Sequence, residues 1–208
     1  MENCRAKLIQ GVDELRLQLS AEKIDQLLSF IQLIAKWNKA YNLTAVRDLA
    51  EMVSIHLLDS LAILPHVKGP IIADIGTGAG LPGIPLAICK PDCQLILVDS
   101  NSKKTRFVQQ AVVELKLKNV QVVHARVEEF QPQQLSTTVI SRAFASMQTI
   151  LDLTEHLLAD TGVLLAMKGQ APVEELQNLG RPYQVIKLVV PGIDAERCLI
   201  ELSRAPHD

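Results

Sequence analysis

Residues 71–83 read Ile71-Ile72-Ala73-Asp74-Ile75-Gly76-Thr77-Gly78-Ala79-Gly80-Leu81-Pro82-Gly83. In this stretch a short apolar run carries an acid near its end, and four glycines follow within eight residues. The pattern predicts a buried strand, a tight turn and a helix N-terminus, in which backbone N–H groups approach a nucleotide-like ligand. A second apolar run, Leu95–Asp99, ends in another acid 23 residues after Gly76.

Strand-like and helical runs alternate after residue 70. The strand-like runs are Ile71–Ile75, Leu95–Asp99, Val120–His124, Val139–Ser141, Gly162–Met167, Val185–Val190 and Leu199–Leu202. Helical runs at Pro85–Lys90, Ser102–Lys116 and Ser146–Ala159 separate the first five. This order predicts an α/β fold, a doubly wound, Rossmann-like sheet of seven mostly parallel strands. The six residues between the last two strands cannot hold a crossover helix, so we expect that pair to form an antiparallel C-terminal hairpin.

Residues 1–66 differ from the rest because their apolar residues recur at helical spacing. Leu8, Val12 and Leu15 follow this spacing, and Ser20 is placed to cap a second helix. A further helical segment is expected from Asp48 to Leu64. The chain is therefore predicted to consist of an N-terminal helical extension, residues 1–66, packed on a ligand-binding domain of residues 67–208.

Composition narrows the class of protein. Hydrophobic residues make up 48% of the 208 residues and charged residues 21%, which is enough apolar material for a sizeable core. The net charge of −2 gives no global sign of a nucleic-acid partner, so such a partner would need local positive charge. The four cysteines form no CxxC pair, and no metal site is expected. The N-terminus lacks the apolar core of a signal peptide and no membrane span is visible, so we expect a cytoplasmic protein.

Two interpretations compete for the glycine turn. Gly78-x-Gly80-x-x-Gly83 matches the dinucleotide fingerprint by letter, which keeps an NAD(P)-dependent oxidoreductase as an alternative. Asp74 would lie close to a pyrophosphate and repel it, whereas it would attract a cationic amino or sulfonium group. S-adenosylmethionine (SAM) carries both groups, and Asp99 is placed to accept hydrogen bonds from its two ribose hydroxyls, although a solvated strand-end acid remains open. A catalytically silent SAM-binding module fits the spacing equally well.

The turn ADIGTGAGLPGIPLAI, followed by LVDSNSKKTRF, resembles class I methyltransferases and specifically the RsmG (GidB) family. Further matching segments are Lys36–Thr44, His56–Leu61, Val127–Phe130, Ile140–Ala145 and Lys168-Gly169. The resemblance implies methyl transfer from SAM to N7 of one guanosine in bacterial 16S ribosomal RNA. It also implies 16S ribosomal RNA, within the 30S subunit, as the partner. We expect a monomer that contacts no membrane.

Carried onto this sequence, the resemblance implies cofactor contacts at Gly76 and Leu81, at Val127 and Glu128, and at Arg142. Arg142 is also the residue to which we assign a catalytic role. It follows an apolar strand, so its guanidinium needs a carboxylate, phosphate or RNA partner, and an internal ion pair with Asp74 or Glu128 is the alternative. The full predicted cofactor set is Asp74, Gly76, Gly78, Leu81, Asp99, Val127, Glu128 and Arg142.

Guanine N7 carries a free lone pair, so its methylation needs no general base, and we expect direct in-line displacement. RNA contacts are expected near the carboxyl ends of the strands. The predicted contacts are Lys103, Lys104, Arg106, Lys168 and Arg197, with Arg126 beside them. A solvated helix face remains the alternative for Lys103–Arg106. Trp37 is expected either in the core or over the mouth of the cofactor site.

Overall fold

A seven-stranded sheet forms the centre of the structure, a computed structural model that describes residues 1–142 and 145–204. Its strands are β1 (Ile71–Ile75), β2 (Gln94–Asp99), β3 (Val120–His124), β4 (Ser136–Ser141), β5 (Leu158–Lys168), β6 (Gln184–Leu188) and β7 (Arg197–Ser203). The spatial order is β3-β2-β1-β4-β5-β7-β6. The first five strands run parallel, and β7 is antiparallel to both β5 and β6. The predicted doubly wound sheet with a C-terminal hairpin is confirmed.

The winding of the chain places a crevice at one edge of this sheet. From β1 the chain moves outward through β2 and β3, and β4 then returns to pair with β1 on its other side. The strand order therefore reverses between β1 and β4, and open α/β sheets bind ligands at such a switch point, outside the carboxyl ends of the strands. The glycine turn follows β1 directly, so it lies at this edge.

Helices cover both faces of the sheet. They are α5 (Gly83–Cys89), α6 (Ser102–Glu114), α7 (Met147–Thr154) and the short α8 (Val173–Gln177). Alternate residues of β1 enter different hydrophobic clusters, because successive side chains of a strand point to opposite faces. Ile72 joins the cluster that contains α5 and α6, whereas Ala73 joins the cluster that contains α7. The three predicted helices are present, with ends that differ by a few residues.

The N-terminal extension packs on the face covered by α5 and α6. Its long helices are α1 (Glu2–Glu14) and α2 (Ala21–Tyr41), and Ser20 caps α2 as predicted, with its Oγ accepting from the Lys23 N–H at 3.3 Å. Residues of the extension and of the sheet share one hydrophobic cluster. The domain boundary at residue 66 stays a prediction. Among the helices of residues 1–142 and 145–204, none is long and apolar enough to cross a membrane.

The segment between Asp48 and His66 is helical, as predicted, but its hydrogen bonding changes along its length. It consists of α3 (Leu49–Met52), a π-helical turn (Val53–Leu58), α4 (Asp59–Leu61) and a 3₁₀ turn (Leu64–His66). The Asp59 N–H donates to the Ser54 carbonyl, five residues back, rather than to the residue four back. Wide turns of this kind are rare and are frequent at functional sites. Hydrophobic spacing alone does not reveal such a turn.

Candidate functional site

Most backbone N–H groups of the glycine turn donate hydrogen bonds within the protein itself. Those of Gly76 and Thr77 both donate to the Val98 carbonyl, at 2.9 and 3.1 Å. Those of Gly80 and Leu81 donate to the Thr77 carbonyl, each at 2.9 Å. A phosphate-binding turn instead points its N–H groups at the ligand. The turn is therefore unlike a pyrophosphate cradle, although its letters match the dinucleotide fingerprint.

Asp74 lies beneath this turn and is fully buried. Its Oδ2 accepts from the Thr77 hydroxyl at 2.7 Å and from the Gly83 N–H at 2.8 Å. Gly83 is the first residue of α5, so the chain's own carboxylate occupies the helix N-terminus at which dinucleotide folds bind pyrophosphate. Asp74 therefore takes up an N–H donor at the helix N-terminus to which a pyrophosphate would otherwise bind. Its role as a cofactor contact stays a prediction.

Burial raises the pKa of Asp74 from its usual 3.8 to about 6. The hydrogen bonds from Thr77 and Gly83, and the positive charge of Arg142, act in the opposite direction, and the charge of Asp99 adds slightly to the rise. Its second oxygen, Oδ1, has no hydrogen-bond partner within the described part of the chain. The charged form of Asp74 is thus disfavoured by the site in which it lies.

Two cavities open at the carboxyl edge of the sheet, and Gly76 lines both. The large cavity, about 540 Å³, is lined by Leu43, Thr44, His56, Asp59, Gly76–Ala79, Leu81, Arg142, Met167–Gly169, Leu188, Arg197 and Cys198. The small cavity, about 400 Å³, is lined by Ile75, Gly76, Val98–Ser100, Lys104, Ala125–Glu128, Ser141, Ala145, Ile150, Leu153 and Thr154. A ligand that extends past Gly76 can therefore occupy parts of both.

The predicted site residues divide between these cavities. The large cavity holds Gly76, Gly78, Leu81, Arg142, Lys168 and Arg197. The small cavity holds Gly76, Asp99, Lys104, Arg126, Val127 and Glu128. Three predicted residues, Asp74, Lys103 and Arg106, line neither cavity. The expected RNA contacts are therefore divided between the two cavities and the surface outside them. Ala143 and Phe144 of the matching segment, and residues 205–208 of the predicted domain, lie outside the described residues.

Asp99 lines the small cavity and connects the glycine turn to the turn that follows β2. Its Oδ2 accepts from the Gly78 N–H and its Oδ1 from the Asn101 N–H, both at 2.8 Å. Each carboxylate oxygen has two lone pairs, so both oxygens can accept one further hydrogen bond. The Asp99 carboxylate is held in place and remains able to bind two hydroxyl groups.

Asp59 is the ion-pair partner of Arg142, where the sequence suggested Asp74 or Glu128. Its Oδ2 lies 3.4 Å from Arg142 Nη2, and its Oδ1 accepts from Arg197 Nε at 3.0 Å. Sequence reasoning missed this role because Asp59 lies in the N-terminal extension, far along the chain from both arginines. A signal was present, since Asp59 belongs to one of the segments that matched the RsmG family.

His56 and Thr44 form a second polar group in the large cavity, and sequence reasoning assigned neither a role. Thr44 Oγ1 and His56 Nε2 are 2.9 Å apart. The buried Asn38 fixes the loop, donating to the Thr44 carbonyl at 2.9 Å and accepting from the Thr44 N–H at 3.0 Å. Burial, and then the charge of Arg142, lower the pKa of His56 from 6.5 to about 4, against a smaller effect of a backbone hydrogen bond at Ile55. The imidazole is therefore neutral near pH 7.

Trp37 is partly buried, packs against the hydrophobic core and lines neither cavity. Its ring centroid lies 6.2 Å from that of Phe107 on α6 and 5.3 Å from that of Tyr41. Of the two expectations for Trp37, the structure therefore matches the core position. Near the end of α2, Asn38 and not Trp37 shapes the wall of the large cavity, through the loop that carries Thr44.

The pKa of His56 is lowered and that of Asp74 is raised. The two residues should therefore change the free energy of unfolding in opposite directions between pH 4 and pH 6.5. The lowered pKa of His56 gives stability that is lost as the pH falls from 6.5 towards about 4. The raised pKa of Asp74 gives stability that is lost as the pH rises from 3.8 through about 6. Replacing His56 with Gln removes the first effect. As the pH falls from 6.5 to 4, the free energy of unfolding of H56Q should therefore rise by up to about 3 kcal/mol relative to that of wild type.

Urea unfolding at pH 4.5, 5.5 and 7 measures this difference. His66→Gln is the control, because it makes the same substitution at a histidine that is only partly buried, whereas His56 is buried. An H56Q profile parallel to the wild-type profile at all three values would contradict the expectation.

The family model described as "rRNA small subunit methyltransferase G" matches residues 23–198. A ribosomal RNA small subunit methyltransferase G from Methylobacillus flagellatus is 51% identical, over 94% of this chain and 96% of its own length. One from Legionella pneumophila (strain Philadelphia 1) is 50% identical, over 96% of this chain and 94% of its own length.

Solved structures show the same fold at low identity. A crystal structure of a putative SAM-dependent methyltransferase from Methanococcus maripaludis has a TM-score of 0.61 at 15% identity, over 87% of this chain and 94% of that one. The precorrin-6y C5,15-methyltransferase of Geobacter metallireducens has a TM-score of 0.55 at 15% identity, over 69% of this chain and 87% of that one. The extent and identity of the sequence matches establish that this chain belongs to the rRNA small subunit methyltransferase G family.

Proposed function

We propose that this protein transfers the methyl group of SAM to N7 of a guanosine in 16S ribosomal RNA. The proposal includes action on the 30S subunit, as a monomer in the cytoplasm. The observation that carries it is the pair of cavities that meet at Gly76. One has a carboxylate suited to a ribose, and the other has a cationic lining suited to an anionic acceptor.

The small cavity is suited to the adenosine half of the cofactor. In this proposal the Asp99 carboxylate accepts from both ribose hydroxyls, Val127 packs against the adenine ring, and the Glu128 backbone contacts the edge of that ring. The turn at Gly76 then lies under the sulfonium, because it borders both cavities. When bound, SAM supplies the electrophilic methyl group. The contribution of the chain is to hold that group at the boundary with the large cavity.

The large cavity is suited to the acceptor nucleotide. Arg142, Lys168 and Arg197 bring three positive charges to its wall, against the one carboxylate of Asp59. Its volume of about 540 Å³ falls in the range of small-molecule sites. In an A-form helix N7 faces a deep, narrow groove, so the guanosine must come from a loop or turn out of its stack.

The residues of the large cavity position the acceptor and do not need to remove a proton. N7 attacks with its own lone pair, so alignment with the methyl group and exclusion of water supply the rate enhancement. His56 fits this role because its imidazole is neutral and hydrogen-bonded to Thr44. Lys168 is also held, donating from Nζ to the Ala145 carbonyl at 2.6 Å. The proposal therefore requires no catalytic base among these side chains.

Transfer of labelled methyl groups tests the proposal. The protein and labelled SAM are incubated separately with 30S subunits, with protein-free 16S RNA and with RNA from 50S subunits. We expect label in 30S subunits or 16S RNA and none in 50S RNA. No transfer to any of the three would overturn the proposal and favour a SAM-binding module without catalytic activity.

Exposed cations at the start of α6 offer a separate test of RNA binding. Lys103 and Arg106 are exposed and line neither cavity, whereas Lys104 lines the small one. The double variant K103E/R106E should weaken binding to 30S subunits. It should also lower the slope of log K against log salt concentration by roughly two, since each contact with a phosphate contributes about one to that slope. Affinity for SAM should not change.

The matched control is K116E/K118E, which makes the same change of charge at exposed positions just after α6. Titrations of 30S subunits at several salt concentrations measure both variants. Equal salt slopes for K103E/R106E and wild type would remove Lys103 and Arg106 from the RNA-binding surface.

A further inference from the structure

One buried carboxylate connects three distant parts of the chain at the wall of the large cavity. The Asp59 side chain is only 3% exposed and lies at the start of α4. It pairs with Arg142, which directly follows β4, and with Arg197, which begins β7. The orientation of both guanidinium groups therefore depends on a residue of the N-terminal extension.

The π-helical turn before Asp59 adds a second acceptor for Arg142. In an α-helix the Asp59 N–H would donate to the Ile55 carbonyl, but here it donates to the Ser54 carbonyl. Arg142 Nη2 donates to the Ile55 carbonyl at 3.4 Å. Arg142 Nη2 thus contacts a carbonyl and a carboxylate from the same wide turn.

The loop between β6 and β7 closes against this turn from the other side. A Cβ added at Gly192 would lie 2.5 Å from Ser54 Oγ, so the loop backbone and the turn are in close contact. This contact packs the loop between β6 and β7 against the π-helical turn. The turn, Asp59 and the two arginines therefore form one connected arrangement.

The arrangement keeps a net positive charge towards the cavity. The Arg142 and Arg197 side chains are 29% and 27% exposed, and both line the large cavity. Two guanidinium groups share one carboxylate, so one positive charge is not balanced by it. Planar guanidinium groups bind phosphate oxygens through paired N–H donors, which makes their orientation decisive.

We propose that Asp59 is a positioning residue that holds Arg142 and Arg197 side by side. Together the two arginines then form a binding site for an RNA backbone phosphate beside the acceptor nucleotide. The inference rests on the proposed function. The place of Arg197 favours RNA over the cofactor as the source of the anion. Its strand, β7, lies three places from β1 in the sheet, and Arg197 lines the large cavity, proposed for the acceptor, but not the small cavity, proposed for the adenosine half of the cofactor.

Replacing Asp59 with Asn separates positioning from charge. If Asp59 acted only through its charge, D59N would bind RNA more tightly and turn over at least as fast, because the site would become more positive. If it positions the arginines, kcat should fall about 100-fold, the loss that a misplacement of about 1 Å can cause. RNA affinity should then fall and not rise, because the two guanidinium groups no longer meet the phosphate together, and the Kd for SAM should stay within about threefold of wild type.

The matched control is D25N, which removes the carboxylate of an exposed ion pair with Arg5 in the same N-terminal extension. It should retain the wild-type kcat. In an R142K/R197K background, adding D59N should lower kcat by less than about twofold, because a residue that acts through the two arginines has little left to position. If D59N lowered kcat in the R142K/R197K background by as large a factor as in the wild-type background, the inference would be overturned.

A second variant covers the case in which D59N fails to fold. D59E keeps the charge but displaces the carboxylate by one methylene, so it should lower kcat less than D59N does and leave the salt dependence of RNA binding unchanged. If D59E and any folded D59N both kept the wild-type kcat, the inference would be overturned and the proposed function would stand. Absence of transfer by the wild-type protein would overturn the proposed function, and the inference with it.

Discussion

Replacing Gly76 with alanine should lower affinity for SAM at least about 100-fold while the protein stays folded. A Cβ built at Gly76 meets no atom of the described chain within 4 Å, so the methyl group would enter the open space where the two cavities meet. In the proposed complex that space holds the cofactor. The backbone φ of +69° adds a strain of about 1 to 2 kcal/mol, which lowers stability but does not unfold the protein.

Gly180 provides a matched control for that strain. Its φ is +63°, a Cβ there also meets nothing within 4 Å, and it lines neither cavity. G180A should therefore lose similar stability and bind SAM like wild type. Calorimetric titration with SAM and with NAD, together with thermal unfolding, measures both variants. Equal SAM affinity in G76A and G180A would contradict the proposed position of the cofactor, and NAD binding by wild type would favour the oxidoreductase.

Replacing Asp99 with alanine should lower SAM affinity by about 3 to 6 kcal/mol, because two hydrogen bonds from ribose hydroxyls to a charged group are lost. The variant also loses the carboxylate that accepts from the Gly78 and Asn101 N–H groups. The turn is then less well held, which adds to the loss of affinity. Calorimetric titration should show binding about 100-fold weaker or worse.

Asp48 is a suitable control for Asp99. Its carboxylate also accepts from a backbone N–H, that of Glu51 at 2.9 Å, and it lines neither cavity. D48A should lose about 1 kcal/mol of stability, as caps typically do, without a change in SAM affinity. Retention of wild-type affinity in D99A would place the ribose elsewhere.

The number of the strands and their positions along the chain could be predicted because each strand rests on a local signal. The run Ile71–Ile75 and the glycines after it show a buried strand and a tight turn without reference to the rest of the chain. The six residues between the last two strands exclude a crossover, so the hairpin followed from length alone. The positions of Gly76 in the turn and of Asp99 at a strand end are visible in the same way, whereas their roles as cofactor contacts stay predictions.

The partners of Asp74 and Arg142 could not be predicted, because they depend on tertiary packing. Asp74 proved to be hydrogen-bonded beneath the turn to Thr77 and Gly83, since a fully buried carboxylate takes the nearest donors. Arg142 pairs with Asp59, which is 83 positions away in the chain. The π-helical turn that presents Asp59 changes the hydrogen-bonding pattern and leaves the apolar spacing nearly unchanged. Sequence periodicity therefore does not detect it.

The most direct test of the account is to map the nucleoside that the protein modifies. 16S RNA recovered from 30S subunits after incubation with the protein and SAM is digested to nucleosides and to oligonucleotides, and both are analysed by mass spectrometry. The account predicts 7-methylguanosine at a single position, and much less of it when the G76A variant is used at the same limiting SAM concentration. A methyl group on another atom or base, or 7-methylguanosine spread over many positions, would contradict it.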